Sequence, residues 1–313
     1  FQGIMETPLS VVYNEERLVG LWKHESTRVF ADKLARPQDK AAAERIIGEY
    51  MPEYFGEELA SKCAGAQWWC DFQREKIDDP NGDEDEAPQI YEPIQSWDVV
   101  RTKAYEYLRS FNERNPAKAM NLVLFDDAMQ HLLRINRTIQ QKRGGLMLVG
   151  VGGSGKQSLT RLASFISRHH LFQITITKTY SDISFLEDLR ELYVRAGQKG
   201  EPLTFIFTDQ DVKNENFLEY MNSMLATGEV VGLFQKDEKD TMCSEVRNDF
   251  VRDFPGQEDN LMNLYIYFLD RLRDNLHICL CFSPMNPKFP IRAQRFPAVF
   301  STVNINWFLP WPE

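Results

Sequence analysis

Cysteine is scarce in this sequence, and the few cysteines form no pattern typical of a metal site or a disulfide framework. The 313 residues include five, at positions 63, 70, 243, 279 and 281. An odd number with no CxxC pair and no Cys/His zinc spacing favours reduced thiols. Cys279 and Cys281 alternate along an apolar stretch, and we expect both in a hydrophobic core.

Excess positive charge and long apolar runs are also missing. The chain has 36 Lys and Arg against 46 Asp and Glu, a formal net charge of −10. An acidic balance argues against general nucleic-acid or anionic-membrane binding. No apolar run approaches the roughly 20 residues needed to span a bilayer, and no signal-peptide pattern is present. The sequence therefore predicts neither a nucleic-acid nor a membrane partner.

Composition along the chain predicts two domains joined by a linker. Residues 1–3, Phe-Gln-Gly, are typical of the remnant of a cleaved purification tag. Residues 4–76 are predicted to form a small helical subdomain that begins with an amphipathic helix over Asn14–Leu34. Residues 77–96 include an acidic, turn-rich run and are predicted to be an exposed linker or loop. Residues 97–313 are expected to form the larger domain.

In this larger domain, apolar strands alternate with helical patterns. The predicted strands are Leu146–Gly150, Phe172–Thr177, Thr204–Thr208, Ile278–Phe282 and Thr302–Trp307. Strands that alternate with long helices predict a three-layer α/β/α domain with a mainly parallel, five-stranded sheet. Ligands of such sheets bind beyond the carboxyl ends of the strands.

One glycine-rich turn carries most of the functional information. The run over Gly150–Ser158 comprises Gly150, Val151, Gly152, Gly153, Ser154, Gly155, Lys156, Gln157 and Ser158. The Gly-x-x-x-x-Gly-Lys spacing, set between a strand and a helix, is typical of a P-loop. Its N–H groups and the helix dipole would bind phosphate, and Lys156 would reach the β- and γ-phosphates. The sequence therefore predicts a site for ATP or ADP.

The metal-binding part of this motif is altered. A Ser or Thr that ligates Mg²⁺ normally follows the lysine, but Gln157 stands there and Ser158 comes one step later. An amide oxygen can ligate Mg²⁺, although the ion demands near-ideal octahedral geometry. Gln157 is thus the candidate metal ligand of the loop.

A second acidic motif follows another strand. Residues 204–211 (TFIFTDQD) end an apolar strand in acid, as a Walker B motif does. The residues leave two registers open. Either Asp209 holds the metal and Gln210 replaces the catalytic base, or Thr208 replaces the metal ligand and Asp209 takes the base position. Either register predicts weak hydrolysis.

These motifs resemble the dynein heavy chain, specifically its fourth AAA+ module in the axonemal type. The resemblance covers nearly the whole chain and is carried by five segments: Gly150–Leu162 (GVGGSGKQSLTRL), Asn121–Asp127 (NLVLFDD), Phe217–Glu229 (FLEYMNSMLATGE), Cys281–Pro284 (CFSP) and Asn306–Trp311 (NWFLPW). It implies that residues 4–76 are the lid-type subdomain of the third module and that residues 97–313 are the large P-loop subdomain of the fourth.

The resemblance also implies roles for particular residues. Matching without gaps places Thr208 on the metal-binding Asp of cytoplasmic dyneins and Asp209 on the catalytic Glu. It places Ser283 on the sensor Asn and makes the nearby Asn286-Pro287 pair a decoy. Val123 and Leu124 would receive adenine. Other residues of interest are Arg292 and Arg295, which lie near the expected arginine finger.

The resemblance further implies a setting. The parent would be a microtubule motor of the cilium or flagellum, located in the cytoplasm, cytoskeleton and axoneme. The partners of this part would be neighbouring AAA+ modules of the same heavy chain, and microtubules would be contacted through distant regions. Two other functions stay open: an independent P-loop ATPase, and a structural ring module with an empty P-loop.

Overall fold

The computed structural model describes residues 2–75 and 87–309, which divide into two compact units. The first unit contains the described residues of 2–137 together with 158–166, and the second contains 138–157 together with 167–309. Most of the acidic run in the predicted linker lies outside the described residues. The predicted domain boundaries remain predictions.

The first unit is mainly helical. One short antiparallel pair joins β1 (Trp69–Cys70) to β2 (Glu92–Pro93), so part of the predicted linker is paired as strand. The helices are α1 (Gln2–Glu6), α2 (Glu15–Ser26), α3 (Pro37–Phe55), α4 (Glu57–Lys62) and α5 (Trp97–Arg114). Two further helices, α6 (Asp126–Gln140) and α7 (Lys156–Ile166), each have residues in both units.

Helix α2 begins where the sequence predicts. The Asn14 side chain caps it by accepting a hydrogen bond from the Arg17 N–H at 2.8 Å. The helix ends at Ser26, where a π-helical turn, Thr27–Ala31, replaces the regular helix that was predicted to continue. The predicted apolar face is also partly wrong, because Phe30 is 56% exposed.

Charged side chains are buried on this α2 segment instead. Glu25 forms an ion pair with Arg137 of α6, in which the Arg137 Nε donates to Glu25 Oε1 at 2.9 Å. Both side chains are nearly inaccessible to solvent. Tyr91 also donates to Glu25, at 3.1 Å, and the Arg28 guanidinium lies 4.1 Å from the centroid of the Trp68 ring. The periodicity of apolar residues describes this helix only in part, because its buried face carries His24 and Glu25 beside the apolar Val19 and Leu21.

The second unit is built on a parallel five-stranded sheet, which confirms the predicted fold class. The strand order is β4-β5-β6-β3-β7, and every neighbouring pair is parallel. The strands are β3 (Leu146–Val149), β4 (His170–Gln173), β5 (Leu203–Thr208), β6 (Leu276–Phe282) and β7 (Asn304–Trp307). The prediction for β4 was wrong in its bounds, since the strand begins and ends earlier.

The central strands are buried on both faces, as a parallel sheet requires. Every residue of β3, β5 and β6 is buried. The hydrophobic core on one face takes alternate residues of each strand, such as Met147 and Val149 of β3 and Phe205 and Phe207 of β5. All five cysteines are buried, with free thiols.

Helices of the second unit supply the rest of that core. They are α8 (Asp182–Tyr193), α9 (Glu215–Thr227), α10 (Lys236–Asp253), α11 (Leu261–Asn275), α12 (Phe289–Arg295) and α13 (Pro297–Ser301). Helix α10 was not predicted, because only four of its residues are buried and the rest of its sequence is polar. Within the part of the chain that the structure describes, no helix combines the length and apolarity needed to cross a membrane.

Candidate nucleotide-binding site

The glycine-rich turn joins the carboxyl end of β3 to the first turn of α7. Gly153 and Gly155 have φ angles of 78° and 79°, in the left-handed region that side chains other than glycine rarely adopt. A Cβ atom on Gly153 would have no neighbour within 4 Å. The glycine is therefore required by the backbone and leaves open space above the loop, as a phosphate cradle does.

Gly150 is required for a different reason. A Cβ on this residue would lie 2.6 Å from the Cβ of Phe308. Its N–H donates to the Phe282 carbonyl at 3.1 Å, which fastens the start of the turn to β6. The turn therefore begins at a fixed point at the carboxyl edge of the sheet.

Lys156 lies at the first position of α7, with its ammonium group over the turn. The Nζ donates to the carbonyl oxygens of Gly150 and Val151, at 2.6 and 2.7 Å, and to the Ser154 Oγ at 3.1 Å. Partial burial lowers its pKa from the ordinary value, while the Asp209 charge opposes this. The cation is thus held where phosphate would meet the N-terminal end of the helix.

The two remaining residues of the motif lie in the first turn of α7. Gln157 and Ser158 are half-buried there. The side chain of Ser154, in contrast, is buried in the turn and donates to the Val151 carbonyl at 2.9 Å. The structure therefore places the whole predicted Gly150–Ser158 run at one strand-to-helix junction.

The end of β5 lies at the same edge of the sheet, two strands away from β3. The Thr208 N–H and Oγ1 both donate to the Oδ2 of Asp211, at 2.7 and 2.8 Å. Burial raises the pKa of Asp211, and the hydrogen bonds from Thr208 act against this. The hydroxyl predicted to ligate a metal is thus engaged by a carboxylate that the sequence interpretation had left without a role.

Asp209 lies beyond the same strand end and accepts three hydrogen bonds from the segment that follows β6. The Ser283 N–H donates to Oδ2 at 2.5 Å. The Asn286 amide and the Arg292 Nη1 both donate to Oδ1, at 3.0 Å each. Ser283 therefore lies beside Asp209 and contacts it through its backbone N–H, whereas the sensor position that the gapless match gives it stays a prediction.

Arg292 also binds a second carboxylate. Its Nη2 lies 3.0 Å from the Oε1 of Glu215, at the start of α9, and Lys288 Nζ lies 3.3 Å from the same oxygen. The hydrogen bond from Arg292 is the main reason that the pKa of Glu215 is lowered, and burial opposes it. We call the group Asp209, Asn286, Arg292, Glu215 and Lys288 the Asp209 cluster.

Two of these residues make contacts that the sequence interpretation did not predict. Asn286, taken as a decoy beside Ser283, donates directly to Asp209. Arg292, one of the two candidate arginine fingers, is 4% exposed and engaged within its own unit. Arg295 is exposed, and its guanidinium lies 5.3 Å from the centroid of the Phe296 ring. The sequence held one signal for Asn286 and Arg292: both lie in the segment that follows β6, the strand that ends beside the P-loop.

The donor set at this edge does not fit Mg²⁺. The Thr208 hydroxyl is engaged by Asp211, and the oxygens of Asp209 accept three donors, one of them a guanidinium. Mg²⁺ needs oxygen ligands in near-ideal octahedral positions. Across residues 2–75 and 87–309, no three His, Cys, Asp or Glu side chains come together as a metal site.

The predicted adenine-contacting residues belong to the first unit. Val123 is 71% exposed and Leu124 is buried, with its N–H donating to the Tyr105 hydroxyl at 3.0 Å. Their segment is irregular and directly precedes α6. One side chain is available to a ligand and the other is part of the core, so their role in adenine binding stays a prediction.

Comparisons with known proteins agree with the geometry. Residues 120–313 match the family described as the P-loop containing dynein motor region D4. The chain is 43% identical to the dynein axonemal heavy chain 5 of Mus musculus over all of its length. It is 41% identical to the flagellar outer-arm dynein gamma chain of Chlamydomonas reinhardtii over 97% of its length. It spans about 7% of the length of these curated relatives.

Proposed function

Since this chain belongs to the family of P-loop-containing dynein motor regions, we propose that it binds ATP or ADP through Gly150–Ser158 and hydrolyses it slowly or not at all. We assign residues 97–313 to the large subdomain of the fourth AAA+ module and residues 4–76 to the lid of the third. Its immediate partners are then neighbouring modules of the same heavy chain.

The P-loop geometry is the observation that carries the binding proposal. The left-handed Gly153 leaves open space above the turn, and Lys156 lies at the first position of α7. Backbone N–H groups, the helix dipole and one ammonium group together suit a di- or triphosphate. Val123 and Leu124 are proposed to contact the adenine, and Ser283 to lie near the γ-phosphate.

The surroundings of Asp209 support weak hydrolysis. A general base must reach the attacking water with a free lone pair, and Asp209 has only about one of four left, because it accepts from Ser283, Asn286 and Arg292. The other residues proposed to handle metal, Gln157 and Thr208, are a long amide and a hydroxyl that donates to Asp211. Phosphoryl transfer depends on positioned metal and water, so turnover is expected to be slow.

The parent protein is proposed to act in the cilium or flagellum. Relatives named as axonemal, ciliary and flagellar dyneins share 40% or more of the sequence with this chain. We therefore place the parent in the axoneme, as part of the cytoplasmic cytoskeleton, where it would drive microtubule-based movement through regions outside this chain. The present part would support or regulate the ring by holding nucleotide.

Calorimetric titration of the 313-residue chain with ADP and ATP tests the binding. Replacing Lys156 by Ala removes a charge-assisted contact worth about 1.5–3 kcal/mol, so the affinity should fall about 10- to 100-fold. The matched control is Lys199→Ala, at an exposed lysine after α8. Undetectable binding would favour a structural module without nucleotide, and equal binding in the wild type and Lys156→Ala would show that the nucleotide does not bind at the P-loop.

A phosphate-release assay tests the turnover. We expect the wild type to stay near the rate of buffer alone in the presence of Mg²⁺ and ATP. A robust rate that is lost in Asp209→Asn would show instead an active ATPase and would overturn the claim of weak hydrolysis.

A further inference from the structure

Asp209 is the carboxylate nearest the metal position in either register of the Walker B motif, as metal ligand in one and as neighbour of Thr208 in the other, and it already has a cation supplied by the chain. We propose that the Arg292 guanidinium takes the place of Mg²⁺ at Asp209, so that ADP and ATP bind to the P-loop equally well with and without a divalent metal. This inference rests on the proposed nucleotide binding and defines its cofactor requirement.

The hydrogen bonds of Asp209 are the first support. One oxygen accepts from the Ser283 N–H at 2.5 Å, and the other accepts from Asn286 and Arg292 at 3.0 Å each. An ionised carboxylate offers about four lone-pair positions, and three are used. A metal ligated directly by Asp209 would have only the one remaining position, beside donors that are themselves fixed by the segment after β6.

Charge balance is the second support. The two carboxylates of the Asp209 cluster, Asp209 and Glu215, are matched by two cations, Arg292 and Lys288. Arg292 is 4% exposed and cannot leave toward solvent without breaking both ion pairs. A divalent cation beside it would add two positive charges to a balanced, partly buried group, where like-charge repulsion is strong.

The two altered metal-binding positions, Thr208 and Gln157, are the third support. Thr208, on the strand end beside Asp209, donates to Asp211 at 2.8 Å. Gln157 replaces the Ser or Thr that usually holds the metal at the P-loop. The two positions that would complete an octahedral Mg²⁺ site are therefore altered at the same edge of the sheet at which Arg292 binds Asp209.

Lys156 then carries the charge neutralisation of the phosphates. Its ammonium group lies over the turn, and the amino-terminal end of α7 adds a partial positive charge. Both attract a phosphate regardless of whether the nucleotide carries Mg²⁺. The free nucleotide and its Mg²⁺ complex should thus have similar affinities.

Titrations of ADP into the 313-residue chain, in excess EDTA and in excess Mg²⁺, test the proposal. We expect dissociation constants within about twofold of each other, because Mg²⁺ finds no complete ligand set. An affinity that falls about tenfold or more in EDTA would overturn the counter-cation proposal and leave nucleotide binding intact. No binding in either buffer would remove the proposed function itself.

Replacing Arg292 provides the sharper test. Arg292→Gln removes the cation that binds both Asp209 and Glu215. Mg²⁺ can then take its place, and it should strengthen ADP binding by about tenfold. Arg292→Lys keeps the charge and should stay insensitive to Mg²⁺. The matched control is Arg295→Gln, at an exposed arginine three residues later. An Arg292→Gln variant that stays indifferent to Mg²⁺ would contradict the proposal.

A second variant keeps the test valid if Arg292→Gln does not fold. Asp209→Asn preserves size and keeps one acceptor oxygen, which can take the hydrogen bond from Ser283 or the one from Asn286 but not both, because these donors bind different oxygens of Asp209. If Arg292 is the counter-cation, the affinity for ADP in Mg²⁺ is no lower in this variant than in the wild type. If Asp209 is a metal ligand, the affinity in Mg²⁺ falls below that of the wild type, to the value in EDTA, and the proposal is overturned. Electron paramagnetic resonance of Mn²⁺ distinguishes the same two hypotheses directly. The wild type with ADP should immobilise no more Mn²⁺ than ADP alone does.

Discussion

A buried histidine makes the stability of the sheet-containing unit sensitive to mild acid. His277 on β6 is 3% exposed, and burial lowers its pKa from about 6.5 to about 4, although a hydrogen bond to the Gly144 carbonyl opposes this. In the unfolded chain the pKa returns to about 6.5. Below that pH the unfolded state binds a proton that the folded state does not, so the free energy of unfolding decreases as pH falls toward 4.

The lowered pKa of His277 sets the size of this effect. From pH 6.5 to pH 5 the difference in proton binding spans about 1.5 pKa units, and each unit is about 1.4 kcal/mol, so His277 alone should remove about 2 kcal/mol by pH 5. The neighbouring His169, with ring centroids 4.9 Å apart, has its pKa lowered by burial to about 3 and acts in the same direction. Carboxylates such as Glu215, whose pKa is lowered, lose their contribution only below about pH 4.5.

His277→Asn isolates this contribution. The asparagine amide can still donate to the Gly144 carbonyl but cannot titrate. Urea unfolding at pH 7.5, 6 and 5 should show that the wild type loses about 2 kcal/mol more than the variant between the first and last pH. The exposed His170→Asn serves as the control and should follow the wild type. Parallel loss in the wild type and His277→Asn would refute the assignment of a neutral, buried imidazole.

Two further substitutions test packing and backbone. Glu25→Gln removes the charged partner of the buried Arg137 and should lower the free energy of unfolding by about 3–5 kcal/mol in urea at pH 7.5. The double change Glu25→Leu with Arg137→Met should recover most of this loss, and an unaffected single variant would contradict the buried pair. Gly153→Ala places a side chain at φ 78°, costs about 1–2 kcal/mol and should weaken ADP binding. Gly232→Ala, which also places a side chain at a left-handed φ of 79° with open space around it but lies outside the P-loop, is the control and should bind ADP as the wild type does.

The sheet and its P-loop could be predicted because their signals are local. Each central strand is a short apolar run bounded by turn residues, and Gly150–Lys156 requires no distant partner to be recognised. The order of the strands, and therefore the residues that neighbour Asp209, depend on pairing between distant segments. A short stretch of a single sequence does not show this pairing. Helix α10 was missed for the opposite reason, since its polar composition hides a narrow buried stripe.

The sequence predicted the glycine-rich loop of the candidate site, but it did not predict the cation that pairs with Asp209. Sequence reasoning placed Thr208, Asp209 and Ser283 at one edge of the sheet, and the structure brings the last two into hydrogen-bonding distance. It could not assign Arg292 to Asp209, because the two are 83 residues apart in sequence and a lone arginine carries no local signature. A buried ion pair across such a distance follows from topology, not from composition.

The Asp209 cluster also changes the meaning of Gln157. Taken alone, a glutamine at the metal position is a defect in an otherwise ordinary P-loop. Because Arg292 binds Asp209, a metal ligand at position 157 would have no carboxylate with which to share the metal ion. A Ser or Thr hydroxyl at this position would therefore add little to Mg²⁺ binding. The combined prediction is that Gln157→Ser, which restores the usual residue, leaves Mg²⁺ dependence near zero in the wild-type background. The same change should increase that dependence when Arg292→Gln is present, as ADP titrations in EDTA and Mg²⁺ would measure. Equal effects of Gln157→Ser in both backgrounds would show that the two positions act independently.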